Sequence, residues 1–165
     1  MRILGIDPGY ERLGIAVLEQ PHYAEASRGG KKHTVVFSEC FKTSSKLEFS
    51  RRLSLIGEEI KNVIKKYKPE VLAIESLFLN TNQKTVMRVA EARGVVVYEA
   101  AQAGLKIFEA TPLQIKIATT GYGRADKTQV MKMTRILVKI DDSKKSDDEL
   151  DAIAIALTIF AHKKF

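Results

Sequence analysis

The pattern of apolar and polar residues divides the N-terminal part of the chain into three strands. Residues 2–7 and 13–19 are short apolar runs on either side of a glycine-containing turn, which predicts a β-hairpin. The polar residues 20–33 contain two adjacent glycines and predict a loop. Residues 34–41, TVVFSECF, alternate roughly between apolar and polar side chains, and we expect a third strand there.

The middle of the chain predicts helices that alternate with buried strands. Over residues 46–67 the apolar side chains recur at helical spacing, and Pro69 ends this helix. The continuous apolar run VLAIE, residues 71–75, is typical of a strand that helices cover on both faces. Residues 82–102 predict a second helix, broken or tightened near Gly94.

The C-terminal part predicts one more strand and three helices. Residues 106–110 form the strand, and Pro112 opens the helical segment PLQIKIATT. The loop GYGRADKTQ leads to a helix that ends at Leu137, and a polar connection precedes a final helix over residues 147–161. Three consecutive strands, followed by strands alternating with helices, predict an α/β fold with a mixed central sheet flanked by helices. We expect a single domain over residues 1–165.

Composition and charge narrow the class of protein. The chain has 45% hydrophobic and 28% charged residues, and no apolar run approaches the roughly 20 residues that span a bilayer. Because the N-terminus leads directly into a strand, we expect no signal peptide and a cytoplasmic location. The single cysteine, Cys40, excludes an intrachain disulfide. The net charge of +7 favours a polyanionic partner without identifying it.

Several carboxylates lie where the pattern predicts apolar side chains. Asp7 ends the first strand, and Glu75 ends the buried strand 71–75, at the carboxyl end where α/β sheets gather ligands. Asp151 lies in a helix that is apolar around most of its surface. Asp148 precedes it by three residues, so both side chains project from one helical face.

Local structure offers another explanation for some of these acids. Asp7 precedes a Pro-Gly pair, and its side chain could start a turn. The segment SDDE, residues 146–149, fits a capping box, and acids in a first turn favour the helix dipole. We therefore expect Asp147 and Glu149 to serve the helix start. This explanation does not extend to Asp151, which lies beyond the first turn.

Taken together, the acids indicate one metal site. If strands 2–7 and 71–75 are adjacent and the final helix packs across them, four carboxylates converge, and they could not all stay ionised without cations. All-oxygen ligation suits Mg²⁺ or Mn²⁺. Zinc is disfavoured, because the three histidines and the cysteine lack ligand spacing. A pair of such ions is the standard device for phosphodiester cleavage.

Five segments resemble the RuvC family of Holliday-junction resolvases, which have the ribonuclease H-like fold. They are GIDPG at the start, AIESLF at 73–78, EARGV at 91–95, TPLQIKIATTGYGRADKTQV at 111–130 and DELDAIAIA at 148–156. GIDPG alone is a weak signal, since actin-like ATPases carry similar turns. The five segments in this order and spacing are highly specific.

The resemblance implies roles for individual residues. The family's four catalytic, metal-binding acids fall on Asp7, Glu75, Asp148 and Asp151. The DELD spacing favours Asp148 over its neighbour Asp147. Two lysines that are important in the family fall on Lys116 and Lys127, where they would contact phosphate near the scissile bond or stabilise transition-state charge. Phe78 matches an aromatic that family members insert against bases at the junction centre.

The resemblance also implies an activity and partners. The expected enzyme is a Mg²⁺-dependent endonuclease that resolves four-way DNA junctions by paired symmetric nicks, leaving 5′-phosphate and 3′-hydroxyl ends, in recombination and repair. Two Mg²⁺ ions are expected in each active site, with Mn²⁺ as a substitute. Residues 82–101 match the helix through which the family forms homodimers, and the branch-migration proteins RuvA and RuvB are implied partners. The loop 20–33 is longer than usual in the family, and its KKH sequence is either a phosphate contact or a solvated hairpin tip.

Other functions would explain fewer of the residues to which the resemblance assigns a role. Another ribonuclease H-like nuclease, acting on RNA–DNA hybrids, would share the acids but leave Phe78 and the dimer helix without a purpose. A non-catalytic junction-binding module would not need the four acids together. An actin-like ATPase needs two domains, for which 165 residues are too few.

Overall fold

The computed structural model describes residues 1–20, 33–77, 83–140 and 145–161. The strands and helices of this part of the chain are, in order, β1 Arg2–Asp7, β2 Arg12–Glu19, β3 His33–Lys42, α1 Phe49–Tyr67, β4 Val71–Glu75, α2 Gln83–Gln102, β5 Lys106–Ala110, α3 Pro112–Thr120, α4 Lys127–Leu137, β6 Val138–Lys139 and α5 Asp147–Ala161. Within these ranges, no helix combines the length and the apolar character needed to cross a membrane.

The strands form one mixed sheet in the order β5-β4-β1-β2-β3-β6. β1 and β2 pair antiparallel, which confirms the predicted hairpin, and β3 is the expected third strand and pairs antiparallel with β2. β4 is parallel to β1, β5 is parallel to β4, and β6 is parallel to β3. The prediction of a mixed central sheet is therefore confirmed, as is the adjacency of the first strand to the buried strand VLAIE.

Helices cover both faces of the sheet because successive side chains of a strand point to opposite faces. In β4, Leu72 and Ile74 are buried in the core that includes residues of α1 and α2. Val71 and Ala73 of the same strand are buried in the core that includes most of α5. A strand covered on both faces needs apolar side chains at every position, which explains the unbroken run that predicted it.

Some boundaries differ from the predictions. α1 begins three residues later than expected and α2 one residue later. α2 continues through Gly94 without a break, because the core contacts of its buried face outweigh the cost of one exposed glycine, about 1 kcal/mol. α4 begins at Lys127, inside the predicted loop, because Asp126 and Gln129 form a capping box. β6 was not predicted, since two residues carry no periodic pattern.

α5 crosses β1 and β2 at close range, and two glycines permit this approach. A Cβ atom on Gly5 would collide with the carbonyl oxygen of Ala152, and one on Gly14 would collide with that of Asp148. Larger residues would push the helix away from the sheet. The two glycines therefore set the depth at which the acids of α5 lie beside the end of β1.

Candidate active site

Two of the predicted acids end neighbouring parallel strands. Asp7 is the last residue of β1, and Glu75 is the last residue of β4. The strands pair with Ile6 opposite Ile74, so the residue after each of these is an acid at the same edge of the sheet. This carboxyl edge is where open α/β sheets hold their ligands.

A cleft of about 270 Å³ at this edge brings five of the predicted residues together. Its charged lining residues are Asp7, Glu75, Lys116, Lys127 and Asp151. α3 supplies the first lysine, α4 the second, and α5 the aspartate. The remaining lining residues are apolar: Pro112, Ile115, Val130 and Ile155. Charged groups that converge between apolar side chains are typical of a site that orients a charged substrate.

Burial in the cleft opposes the ionisation of two of its acids. Burial, followed by repulsion from the carboxylates of Asp151, Glu75 and Asp148, raises the pKa of Asp7 from 3.8 to about 7, and Lys127 opposes this shift. Burial and then repulsion from Asp151 also raise the pKa of Glu75. The site therefore resists holding all of its acids as anions without further positive charge.

Lys127 neutralises one acid of the cleft. Its ammonium donates a hydrogen bond to Oδ2 of Asp151 at 3.0 Å. This bond is the main cause that raises the pKa of Lys127. Among the described residues no carboxylate is paired with Lys116, so the charge of that lysine is available to an anionic substrate.

Asp148 lies beside the cleft and has a different cationic partner. Arg12, the first residue of β2, donates to Oδ2 of Asp148 through Nε at 3.0 Å and also through Nη2. The thiol of Cys40 donates to the same oxygen at 3.3 Å. The bond from Arg12 is the main cause that holds the pKa of Asp148 below its ordinary value. Asp148 and Asp151 are thus one turn apart on α5 but are neutralised by different elements.

The start of α5 has the predicted capping box. The amide of Ser146 donates to Oε2 of Glu149 at 2.9 Å, and the amide of Glu149 donates to the hydroxyl of Ser146 at 3.3 Å. The structural role expected of Glu149 is therefore confirmed. Asp148 lies between these two residues in sequence, but its side chain accepts hydrogen bonds from Arg12 and Cys40 instead.

The donor set of the site fits a hard divalent cation. In the described ranges, no group of three or more His, Cys, Asp or Glu side chains is arranged to hold a metal ion. Instead, one oxygen of Asp148 is bound by Arg12 and one oxygen of Asp151 is bound by Lys127. The four acids nevertheless offer carboxylate oxygens alone, which Mg²⁺ and Mn²⁺ prefer. A cation would also relieve the repulsion that raises the pKa of Asp7.

Three residues that contact the acids of the site were not among the predicted site residues. Arg12 and Cys40 contact Asp148 across 136 and 108 positions of sequence, so no local pattern reveals them. Arg93 of α2 donates from Nε to the carbonyl oxygen of Glu75 at 3.2 Å, and its Nη2 pairs with Glu109 at 2.8 Å. The EARGV segment that contains Arg93 is a signal that could have found it.

Phe78 and residues 21–32 lie outside the described residues. The base contact predicted for Phe78 and the phosphate contact considered for the long loop therefore stay predictions. The catalytic and metal-binding roles assigned to the acids and lysines also stay predictions.

Comparisons with known proteins agree on one family. The family model "Crossover junction endodeoxyribonuclease RuvC" matches residues 3–159. A protein of that name from Halothermothrix orenii is 43% identical over 157 residues, which cover 95% of this chain and 90% of the relative. Another, from Thermosipho melanesiensis, is 41% identical over 165 residues, the full length of both chains. The solved structure "T. thermophilus RuvC in complex with Holliday junction substrate" matches with a TM-score of 0.85 and 30% identity, covering 96% of this chain and 92% of that one. This match confirms the expected ribonuclease H-like fold.

Proposed function

This chain belongs to the RuvC family of crossover junction endodeoxyribonucleases, and we propose that it resolves four-way DNA junctions by hydrolysing phosphodiester bonds in the cleft at the end of β1 and β4. The observation that carries this proposal is the set of three acids and two lysines that line one cleft. A relative solved with a Holliday junction substrate supports the choice of substrate. The family match over residues 3–159 supports a single domain over residues 1–165.

The acids of the site form the proposed metal-binding half of the machinery. The family's enzymes are metal-dependent nucleases. In this chain Asp7, Glu75, Asp148 and Asp151 would hold two Mg²⁺ ions, with Mn²⁺ as a substitute. When bound, such ions supply Lewis acidity to the reacting phosphate. Three of these acids, Asp7, Glu75 and Asp151, line the cleft at the edge of the sheet where β1 and β4 end.

The lysines form the proposed phosphate-binding half. Water attacks phosphorus, the bond to the 3′-oxygen breaks, and the cut strand is left with a 5′-phosphate and a 3′-hydroxyl. The negative charge that builds on the phosphate oxygens is stabilised by the ammonium groups of Lys116 and Lys127. Lys127 exchanges its bond to Asp151 for the phosphate, whereas Lys116 has no described ion pair to give up.

The proposal includes a homodimer that pairs through α2. Met87, Glu91, Gly94 and Tyr98 lie at the spacing of one helical face, and all four are exposed. Met87 is 67% exposed and Tyr98 is 59% exposed, which is unusual for large apolar side chains of a helix. Two clefts related by a two-fold axis would match the symmetry of a four-way junction and allow paired nicks on strands of like polarity.

Three further parts of the proposal come from the family resemblance. Phe78 would stack against bases at the junction centre. RuvA and RuvB would deliver the junction, and the protein would act in the cytoplasm. The net charge of +7 supports contact with the DNA backbone.

Substitution of the acids on α5 tests the site, and the helix offers its own control. Asp148→Asn and Asp151→Asn should each lower the cleavage rate of a mobile four-way junction by about 100-fold or more, because a neutral amide is a poor ligand for Mg²⁺. Junction affinity should change less than about threefold, since the cationic side chains that contact phosphate are all retained. Asp147→Asn removes the same charge from the same turn and should cleave like the wild type. Wild-type cleavage by Asp148→Asn and Asp151→Asn would contradict the assigned site.

A further inference from the structure

An arginine at the rim already neutralises one acid of the site. Both bonds from Arg12, through Nε at 3.0 Å and through Nη2, go to Oδ2 of Asp148. The thiol of Cys40 donates to the same oxygen at 3.3 Å. An oxygen that accepts these bonds is not a ready ligand, because the arginine and a divalent cation require the same lone pairs. The resemblance to the family assigns no role to Arg12.

The position of Arg12 allows it to leave this pair. Its side chain is 52% exposed, whereas that of Asp148 is 21% exposed. Arg12 starts β2, and Lys42, which ends β3, lies directly opposite it in the strand pairing. Like charges at opposite positions of two antiparallel strands repel each other. Arg12 and Lys42 thus place two cations side by side where β2 begins and β3 ends, and such a pair is suited to bind an anionic backbone phosphate.

We propose that Arg12 is an exchangeable counter-ion, which neutralises Asp148 in the metal-free protein and moves to a backbone phosphate of the junction when a divalent cation takes the carboxylate. This inference rests on the proposed role of Asp148 as a metal ligand. Metal and junction then favour each other's binding, because the phosphate removes the competitor of the metal and the metal frees the arginine for the phosphate. Linkage requires this effect to be reciprocal.

The opposite role for Arg12 makes the opposite prediction. If Arg12 held Asp148 in the orientation that a metal needs, loss of the arginine would weaken metal binding. If it competes with the metal, loss of the arginine strengthens metal binding in the absence of DNA. The sign of the change in metal affinity therefore separates the two roles.

The first experiment measures Mn²⁺ binding to DNA-free protein, with free Mn²⁺ followed by electron paramagnetic resonance. Arg12→Gln keeps a long polar side chain but removes the charge, and we expect it to lower the Kd for Mn²⁺ about two- to fivefold, the range that an exposed ion pair allows. Arg51→Gln is the matched control. Arg51 is 54% exposed and pairs with Glu58 on α1 at 3.2 Å. The control should bind Mn²⁺ like the wild type.

The second experiment measures junction affinity against salt concentration, once in Ca²⁺ and once in EDTA, with gels to verify that the junction stays intact. The slope compared is that of log K, the association constant for the junction, against log salt concentration. In Ca²⁺ this slope should be about 0.9 steeper for the wild type than for Arg12→Gln, because the variant lacks one phosphate contact. In EDTA the two slopes should coincide, because Arg12 is then held by Asp148.

The outcomes separate this inference from the proposed function. Mn²⁺ binding to Arg12→Gln that is equal to or weaker than that of the wild type would overturn the exchange while leaving the metal ligands intact. Equal slopes in Ca²⁺ would overturn the transfer of Arg12 to phosphate. If Asp7→Asn bound Mn²⁺ as tightly as the wild type does, both the assigned metal ligands and the proposed exchange would be overturned.

Discussion

At the scale of single residues, Asp7 is held where burial and three neighbouring carboxylates oppose its ionisation. Its pKa in the folded protein is about 7, above the ordinary value of 3.8. As pH rises, the unfolded chain therefore loses this proton before the folded protein does. In the metal-free protein Asp7 costs no stability below about pH 4, costs progressively more as pH rises towards 7, and reaches its full cost above that pH.

Asp7→Asn should remove this dependence on pH. The full shift of the Asp7 pKa corresponds to a loss of about 4 kcal/mol of folding stability at high pH. Because the side chain is partly exposed, we expect a loss of about 2 kcal/mol. In EDTA, the free energy of unfolding of the variant relative to the wild type should therefore rise by about 2 kcal/mol from pH 4 to pH 8, as measured by urea denaturation. Added Mg²⁺ should stabilise the wild type more than the variant. A relative stability that does not change with pH would contradict the electrostatic account.

At the scale of elements, the close approach of α5 to β2 sets the position of Asp148. We expect Gly14→Ala to destabilise the protein by about 1–3 kcal/mol, because the added Cβ would collide with the Asp148 carbonyl oxygen. Cleavage should fall with it, since the helix that carries two of the acids must shift. Asn62→Ala is the control: Asn62 is exposed on α1, and because alanine is the better helix former this exchange should raise stability by about 0.5 kcal/mol. Equal stability of the two variants, measured by thermal unfolding, would contradict this account of α5.

The elements that sequence predicted best are those whose pattern is local. The hairpin β1–β2 and the buried strand β4 follow from apolar runs of a few residues, and the capping box at the start of α5 follows from four adjacent residues. β6 and the uninterrupted course of α2 through Gly94 depend on tertiary contacts instead. Such contacts override local propensity, so the sequence pattern alone could not reveal them.

The same distinction separates the predictable part of the site from the rest. Asp7 and Glu75 could be predicted because each ends an apolar strand, and neighbouring parallel strands share one edge. Arg12 could not, because its bond to Asp148 joins positions 136 apart and exists only where α5 meets β2. Sequence thus predicted the acids that interrupt a pattern but not the cation that neutralises one of them.

At the scale of the whole molecule, the proposed resolvase needs two clefts and therefore two chains. Met87→Asp places a charge on the exposed face of α2, where a dimer would bury it, and should convert a dimer into a monomer in sedimentation equilibrium. Paired cleavage should be lost as well. Ile136→Asp is the control, since Ile136 is 49% exposed on α4, away from that face. A wild-type chain that sediments as a monomer, or a Met87→Asp variant that stays dimeric, would contradict pairing through α2.

The central claim, that this cleft cuts four-way junctions through its acids, is tested most directly by one cleavage assay. Wild type and Asp7→Asn would be incubated with Mg²⁺ at fixed salt and a mobile four-way DNA junction, a linear DNA duplex or an RNA–DNA hybrid, with each strand end-labelled in turn. We predict symmetric nicks confined to the four-way junction for the wild type, and bound but uncut junction for Asp7→Asn. Cleavage of the hybrid with the junction intact, or undiminished cutting by Asp7→Asn, would contradict the account.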